Sequence, residues 1–575
     1  MDFGRGWSVI LRKTKGIALV AILVGQMALP ALGESVSGAY LAARQAGKQS
    51  DFEKAADYYA IALARDPGNP RLLENALLSF IAMGDFEKAL PIARKMAADG
   101  RKSQMANMVI LGDLARREDY TAILKSLEEG ERIGPLVDGL LKAWAEMETG
   151  RVSDALKDFD QVIAAKGSRA FGLYHKALAI ASAGDFAGAD KIFAGKAGAP
   201  LRMTRRGVIA HAEILSQLER NADALKLVET AFGSDPDPLA EDLRARLKAG
   251  ERLPFRLVTS PREGMAEVFY TLAGALRGEA GDTYTLIYSR MAQMLDPEHA
   301  DATLMTAQLL ERLGNHDLAI ETYKLIPPDD PARVTAEIGR AEAMRKAGRA
   351  DAAIEVLEQL AKAFPGLARV HVALGDIYRQ EKQFGKAAKA YGRAIELAEK
   401  TGGAEWFIYY ARGISYERLG KWDLSEADLR KALALEPDQP NVLNYLGYSL
   451  VDRNVKLEEA LEMIRKAVAA RPDDGYIRDS LGWALYRMGR YDEAVKHMER
   501  AVELTATDPI INDHLGDVYW AVGRHREAQV QWHRALSFDP EEKERKRIRR
   551  KLEIGLDAVL EAEGAKPLAM SNNEN

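Results

Sequence analysis

Not one of the 575 residues is cysteine, which excludes disulfides, thiolate metal sites, a cysteine nucleophile and acylation of an N-terminal cysteine. Aromatic residues are scarce, at 7%, a poor match to a β-rich enzyme. Neither sign of charge dominates: 80 basic residues stand against 85 acidic ones, a formal net charge of -5, so the basic surplus of a nucleic-acid surface is missing. The sequence contains no His-Glu-x-x-His, no Gly-x-Ser-x-Gly elbow, no Walker loop and no dinucleotide-binding glycine cluster. The expectation is therefore a protein that is not an enzyme, with no catalytic residues, no cofactor and no metal. His525 and His533, eight residues apart, read as surface or core residues and not as ligands. What is abundant points to a folded, helix-rich body: hydrophobic residues make up 47% and charged residues 29% of the chain.

Long uncharged runs are also rare. One follows Arg5, Arg12, Lys13 and Lys15, spans Ile17 to Leu29, and leads into Pro30, Ala31, Leu32 and Gly33. A basic start, an apolar stretch and small residues in that order predict a secretory signal peptide over residues 1–33, cleaved before Glu34. Its loss takes the formal charge from -5 to -8 and places the product in the periplasm or cell envelope. The run is short for a membrane span, which favours cleavage; the competing reading is an uncleaved anchor.

A spacing close to 34 residues organises everything after residue 33. Gly447, Gly482 and Gly516 are 35 and 34 residues apart; each is followed by a small residue (Ala460, Ala494, Ala528) and then a bulky one (Ile464, Met498, Trp532). Gly375 with Ala387 and Tyr391 keeps the same phase, and Ala55, Tyr59 and Ala62 repeat it near residue 60. Prolines at 67, 236, 297, 437, 472 and 540 close units, because proline cannot continue a helical ladder. Glycines at 84, 150, 184, 314, 420, 489 and 523 sit where two helices of a pair must turn. The repeated unit is helix, tight turn, helix, stop.

This pattern resembles the tetratricopeptide (TPR) repeat, and the resemblance implies an all-α solenoid, a right-handed superhelix in which stacked hairpins bury faces that none can bury alone. Fourteen units are expected, starting near 36, 70, 103, 136, 170, 205, 266, 300, 333, 368, 406, 440, 475 and 509. The register breaks between 239 and 265, around Pro254, Pro261 and Gly264. The predicted organisation is an N-terminal block over 34–238, a linker over 239–265 and a C-terminal block over 266–540. A capping helix over 541–563, with Ile548, Leu552, Leu556, Val559 and Leu560 on one side, and a disordered tail over 564–575 complete it. The basic run Lys543, Arg545, Lys546, Arg547, Arg549, Arg550 and Lys551 reads as the wet face of that cap, with contact to anionic lipid or an acidic protein as the competing reading.

In TPR proteins the second, fifth, ninth and twelfth positions of each repeat line the concave surface. Carried onto this sequence, the resemblance assigns to a protein-binding groove Phe407, Tyr410, Tyr448, Tyr476, Asp479, Trp483, Tyr486, Asp513, Asp517 and Trp520. Five of the seven tryptophans lie beyond residue 400, and aromatic rings beside carboxylates suit anchoring of a protein partner.

Residues 440–508 also resemble a narrower group. Asn444-Tyr445-Leu446-Gly447-Tyr448, Arg471-Pro472-Asp473-Asp474, Asp479-Ser480-Leu481-Gly482-Trp483 and Tyr486-Arg487-Met488-Gly489-Arg490 are similar to envelope TPR proteins of Gram-negative bacteria. Those proteins are adaptors of carboxy-terminal processing proteases and present cell-wall hydrolases for degradation. The resemblance implies an exported, non-catalytic scaffold with protein partners of that kind; the alternative is a membrane-anchored TPR organiser of envelope assembly or polysaccharide export. No nucleic-acid partner is expected, and membrane contact only through the signal segment or the basic 543–551 face.

Overall fold

Several helices begin where a side chain takes up the free N–H groups of a first turn. Asn69 accepts from the Arg71 and Leu72 amides at 3.1 and 3.3 Å with Pro70 at the first helical position, and Asp508 does the same for Ile510 and Ile511 at 2.8 and 3.0 Å ahead of Pro509. The computed structural model describes residues 36–195, 201, 203–233, 238–400, 402–565 and 568. The expected signal segment over 1–33 and most of the tail over 564–575 lie outside the described residues. The described residues form 31 helices and no strand beyond an isolated bridge between Arg277 and Ala280. The fold class is therefore all-α.

Two compact units divide the chain. The first takes the described residues up to Gly233 and those of Asp237–Ala336; the second takes those from Glu337 onward. In the first unit the hairpins are α1–α2 (Val36–Lys48, Phe52–Arg65), α3–α4 (Pro70–Met83, Phe86–Ala98), α5–α6 (Gln104–Arg116, Tyr120–Glu129), α7–α8 (Pro135–Glu148, Val152–Ala164), α9–α10 (Arg169–Ser182, Phe186–Phe193) and α11–α12 (Arg205–Gln217, Asn221–Phe232). A single helix α13 (Pro238–Lys248) follows, then α14–α15 (Pro261–Leu276, Asp282–Leu295) and α16–α17 (Ala300–Arg312, His316–Tyr323). Helix α18 (Arg333–Lys346) spans the division and is followed by α19 (Ala350–Ala363). The second unit continues with α20–α21 (Ala368–Gln380, Phe384–Ala398), α22–α23 (Trp406–Arg418, Trp422–Leu435), α24–α25 (Pro440–Asp452, Leu457–Ala470), α26–α27 (Gly475–Arg487, Tyr491–Leu504) and α28–α29 (Pro509–Ala521, His525–Ser537). It ends in α30 (Glu542–Ile554) and α31 (Leu556–Ala562).

Fourteen hairpins start within a residue of the expected positions, except the seventh, which starts at Pro261 and not near 266. There Pro261 does not interrupt a helix but opens one, with the Ser260 hydroxyl accepting from the Glu263 amide at 3.3 Å. The seven turn glycines all have φ between 71° and 91°, the left-handed conformation such turns need; where the turn lacks glycine, Glu118, Glu219, Lys382 and Asn454 adopt it at φ 57–61°.

The close helix crossings follow the pairing of small and large residues. A Cβ added to Gly375 would lie 2.7 Å from Tyr391, one on Gly447 2.7 Å from Ile464, one on Gly482 2.3 Å from Met498 and one on Gly516 2.4 Å from Trp532. Each glycine brings its helix onto the following one, and the bulky partner fills the space beside it.

Three expected boundaries are corrected. The stretch 239–265 is not a linker: most of it is α13, whose Leu243 and Leu247 share a core with Val228 and Leu253, and the start of α14. The chain divides near 336 because the segment after the break folds back against the hairpins before it. The single cap over 541–563 is two helices broken at Gly555, where a Cβ would meet the Trp520 ring at 2.9 Å.

Candidate functional site

In the first unit the inner side of the repeat array is filled by the chain itself. Helix α14 lies against α7 and α9, and α15 against α3 and α5. Gly264 of α14 rests on the fully buried Trp144, whose indole would be 2.4 Å from an added Cβ. Gln104 donates to the Tyr288 hydroxyl at 3.0 Å, and the Arg290 guanidinium donates to the Ala82 carbonyl at 3.0 Å at the end of α3. A cation there meets the negative end of the helix dipole, although burial holds its pKa down to about 10.

A buried polar cluster fixes α14 further along. Glu267 accepts from Tyr174 at 2.9 Å and from Arg206 at 2.9 Å, lies 3.2 Å from His299, and Arg206 also reaches Asp301 at 3.2 Å. Burial opposes the charge on Glu267, and Arg206 overrides it, holding the carboxyl well below its usual range. His175, between Trp144 and Thr271 at 3.4 and 3.2 Å, is pushed down to about 4 by burial and stays neutral. Glu213 accepts from the Arg256 amide at 3.0 Å and is pushed up to about 7 by burial.

The ten residues expected to line a groove all lie in the second unit, where they separate into three sets. At the last repeat the groove is closed. The Lys551 ammonium of α30, with its side chain 0% exposed, lies 2.9 and 2.8 Å from Asp513 and 2.5 Å from Asp517, and Trp532 donates to Asp517 at 3.0 Å. Trp520 donates to Asp557 of α31 at 2.8 Å and stacks on His525 at 4.2 Å. Asp513 and Asp517 are therefore buried and Trp520 half-buried: all three bind the chain's own last two helices. Lys551 is correspondingly not on a wet face, because three residues after the buried Ile548 it falls on the inward side of α30.

The middle set is a stack. Trp483 lies over His514, centroids 4.0 Å apart and planes at 15°, and over Tyr486 at 4.8 Å and 19°. The His514 Nδ1 reaches both oxygens of the buried Asp479, at 3.0 and 3.1 Å. Burial disfavours the imidazolium, but Asp479 outweighs it and raises the pKa. Trp483 and Tyr486 thus spend much of their surface on neighbours in their own array.

The third set is open. Tyr448 and Tyr476 border a cleft of about 210 Å³ between α24, α26 and α28, with Asp479, Asn444, Asp508 and Ile510 also lining it. Tyr476 is 59% exposed and Ile510 49%. Further along, Phe407 is exposed at 37%, and Tyr410 packs edge-on against Tyr445 at 5.8 Å.

Tetratricopeptide repeat family profiles match residues 40–104, 140–194, 288–333, 338–404 and 410–475, more than half of the chain, and a TPR repeat profile matches 482–523. The chain is a TPR protein. It is 31% identical over 188 residues to the TPR repeat-containing protein PA4667 of Pseudomonas aeruginosa, a match that spans 32% of this chain and 30% of that relative's length. Among solved structures it is similar to the Cut9-Hcn1 hetero-tetramer of the APC/C (15% identity, 91% and 96% of the two chains, TM-score 0.39) and to yeast Tom70 (14% identity, 92% and 96%, TM-score 0.35). At these scores neither bears on arrangement or function.

Counted from the starts of their repeats, the self-occupied residues of the first unit fall on positions that line the concave face in TPR proteins, although no groove residue was assigned there: Gln104 is a second position, Tyr174 a fifth, Trp144 a ninth. Sequence reasoning assigned no ligand to them, because their occupant lies more than a hundred residues away in two of the three cases. His514 and Lys551 were also missed. His514 follows a groove aspartate directly, and Lys551 keeps the apolar stripe's spacing within a basic run; those were the only signals available.

Proposed function

We propose that this TPR protein is an exported, non-catalytic scaffold that holds a protein partner in the concave groove of its second unit. The observation that carries the reading is the contrast between two inner surfaces: in the first unit α14 and α15 fill it, whereas in the second the cleft beside Tyr448 and Tyr476 leaves large aromatic surface exposed. Exposed rings with adjacent carboxylates are an anchoring chemistry for polypeptides. The resemblance of residues 440–508 to envelope adaptors supports a carboxy-terminal processing protease, its cell-wall hydrolase substrates, or both as the partners, and the composition of residues 1–33 supports export to the periplasm or cell envelope. A scaffold of this kind acts by raising the effective concentration of two bound proteins toward each other.

The test is affinity capture from envelope extract with the full chain and with Tyr448→Ala/Tyr476→Ala. Loss of captured protease or hydrolase with helical circular dichroism unchanged is the expected result. Capture that survives the double substitution removes the groove from the function, and absence of the native chain from the envelope fraction removes export.

A further inference from the structure

The groove's last repeat shows what kind of side chain its aspartates hold. Asp513, a fifth position, and Asp517, a ninth, grip the Lys551 ammonium, whose Nζ also lies 5.6 Å from the centroid of the Trp532 ring. One repeat earlier the fifth position is again an aspartate, Asp479, and again aromatic rings stand beside it, but its partner here is His514 of the next repeat, and among the described residues no later helix enters the cleft. The two sites are continuous along one face of the second unit: α26 packs against α28.

We propose that the cleft bordered by Tyr448, Tyr476 and Asp508 seats a lysine or arginine side chain from an extended segment of a protein partner, a proposal that rests on the second unit's groove being the partner-binding face. Size comes first. At about 210 Å³ the cleft is below the roughly 300 Å³ at which small-molecule sites begin, and it suits one long side chain. Its polar inventory is the second argument. Among the described residues neither lysine nor arginine lines it; the lining has carboxylates at Asp479 and at Asp508, whose Oδ1 also accepts from the Ile510 and Ile511 amides and whose carboxylate bonds the Tyr476 hydroxyl, and an amide oxygen at Asn444. That Asn444 Oδ1 is shielded from solvent and accepts no hydrogen bond from the described residues, which is a cost unless a donor arrives. His514 already occupies one side of Asp479, but a carboxylate has about four lone-pair directions, and Nδ1 uses only part of them.

The walls supply the third argument. Tyr445, Tyr448, Tyr476, Ile510 and Ile511 are apolar surfaces along which an alkyl stem lies, while a cationic head beside tyrosine faces gains further attraction. A purely apolar side chain would fill the same walls and leave Asn444 and the carboxylates unanswered. A cation with an apolar stem satisfies both.

The experiment uses the full chain to select from a phage-displayed library of random dodecapeptides, followed by fluorescence-polarisation titration of synthetic copies of the selected peptides. The expected result is a shared lysine or arginine whose replacement by norleucine weakens binding at least about tenfold, the scale of a hydrogen bond to a charged group. Asp508→Asn, which keeps the cap on α28, should weaken the lysine peptide severalfold and leave the norleucine peptide unchanged. Tyr448→Ala/Tyr476→Ala should weaken both. Equal affinity for lysine and norleucine peptides, or indifference to Asp508→Asn, overturns the cation seat while sensitivity to the tyrosines keeps the groove itself. Selected peptides indifferent to both tyrosines, or no selected peptide at all, overturn the groove reading and this proposal with it.

Discussion

Replacing Lys551 by methionine should loosen the end of the second unit far more than a lysine substitution on a helix surface would. The side chain is 0% exposed, Asp517 beside it 1% and Asp513 13%, so solvent screening does little for the two carboxylates left behind. Methionine keeps the stem's bulk, which removes a cavity from the account and leaves the electrostatic term. Two unit charges about 2.8 Å apart attract by about 6 kcal/mol at an effective dielectric constant near 20. Most of that attraction offsets the desolvation of the ions, and removing one partner of a buried pair costs about 3–5 kcal/mol. The penalty should depend on pH. Burial already pushes the Asp513 carboxyl up, and loss of the ammonium pushes it further, so the variant's defect should be largest near pH 7 and shrink as acid neutralises the carboxylates.

A global melt is a poor assay because repeat arrays open locally. Hydrogen exchange of amides in 509–562, compared between the native chain and Lys551→Met at pH 7 and pH 5, reads the affected segment. Adding Asp513→Asn and Asp517→Asn to the variant should restore part of the protection, since the buried charge is then gone. A Lys551→Met protein within about 1 kcal/mol of the native chain at pH 7, or one whose defect is independent of pH, refutes the reasoning.

Two further substitutions test the crossings and the buried acid of the first unit. Gly516→Ala should destabilise more than Gly482→Ala, both within the roughly 1–3 kcal/mol of overpacking, because Gly516 faces the rigid, fully buried Trp532 whereas Gly482 faces the flexible Met498; hydrogen exchange of the adjoining helices that shows the reverse order would remove that explanation. Glu213 has a folded pKa of about 7 against 4.5 when unperturbed, so the folded state binds the extra proton, and stability is greatest below about pH 4.5 and falls as pH rises through 7. Glu213→Gln cannot ionise. Its stability relative to the native chain, followed by hydrogen exchange of 205–260, should match near pH 4 and exceed it by up to about 3 kcal/mol above pH 8; a difference independent of pH counts against the buried acid.

The hairpins were legible because each is specified by neighbours in sequence. Gly84 ends α3, Asn69 and Pro70 begin it, and the spacing of Gly482 from Met498 is set by one turn between two helices. Which residues share a helix face was legible too, since helical spacing decides it, while the assignment of that face to a groove came from the TPR resemblance. Their occupants were not. Nothing local to Trp144 indicates that Gly264 will lie on it, and Arg290 in α15 gives no sign that its guanidinium will end against the carbonyl of Ala82. The break after 238 was visible as irregular composition, but whether such a break lets the chain run on or fold back depends on surfaces far apart in the sequence.

The occupants argue for where binding remains available. In the first unit Trp144 and Tyr174 are committed to α14, and the cluster of Arg206, Glu267 and His299 would leave buried charges unpaired if α14 withdrew. At the end of the second unit Asp513 and Asp517 are committed to Lys551 on the same terms. Such ionic plugs are costly to break by removing one side, so neither is an economical place to exchange for a foreign ligand. Tyr448, Tyr476 and Ile510 carry no such commitment: a partner that covers them removes apolar surface from water without first uncovering a charge. The stretch from α24 to the start of α28 is therefore where association has the least to undo, and substitutions there should change partner affinity while those at Glu267 or Lys551 change stability.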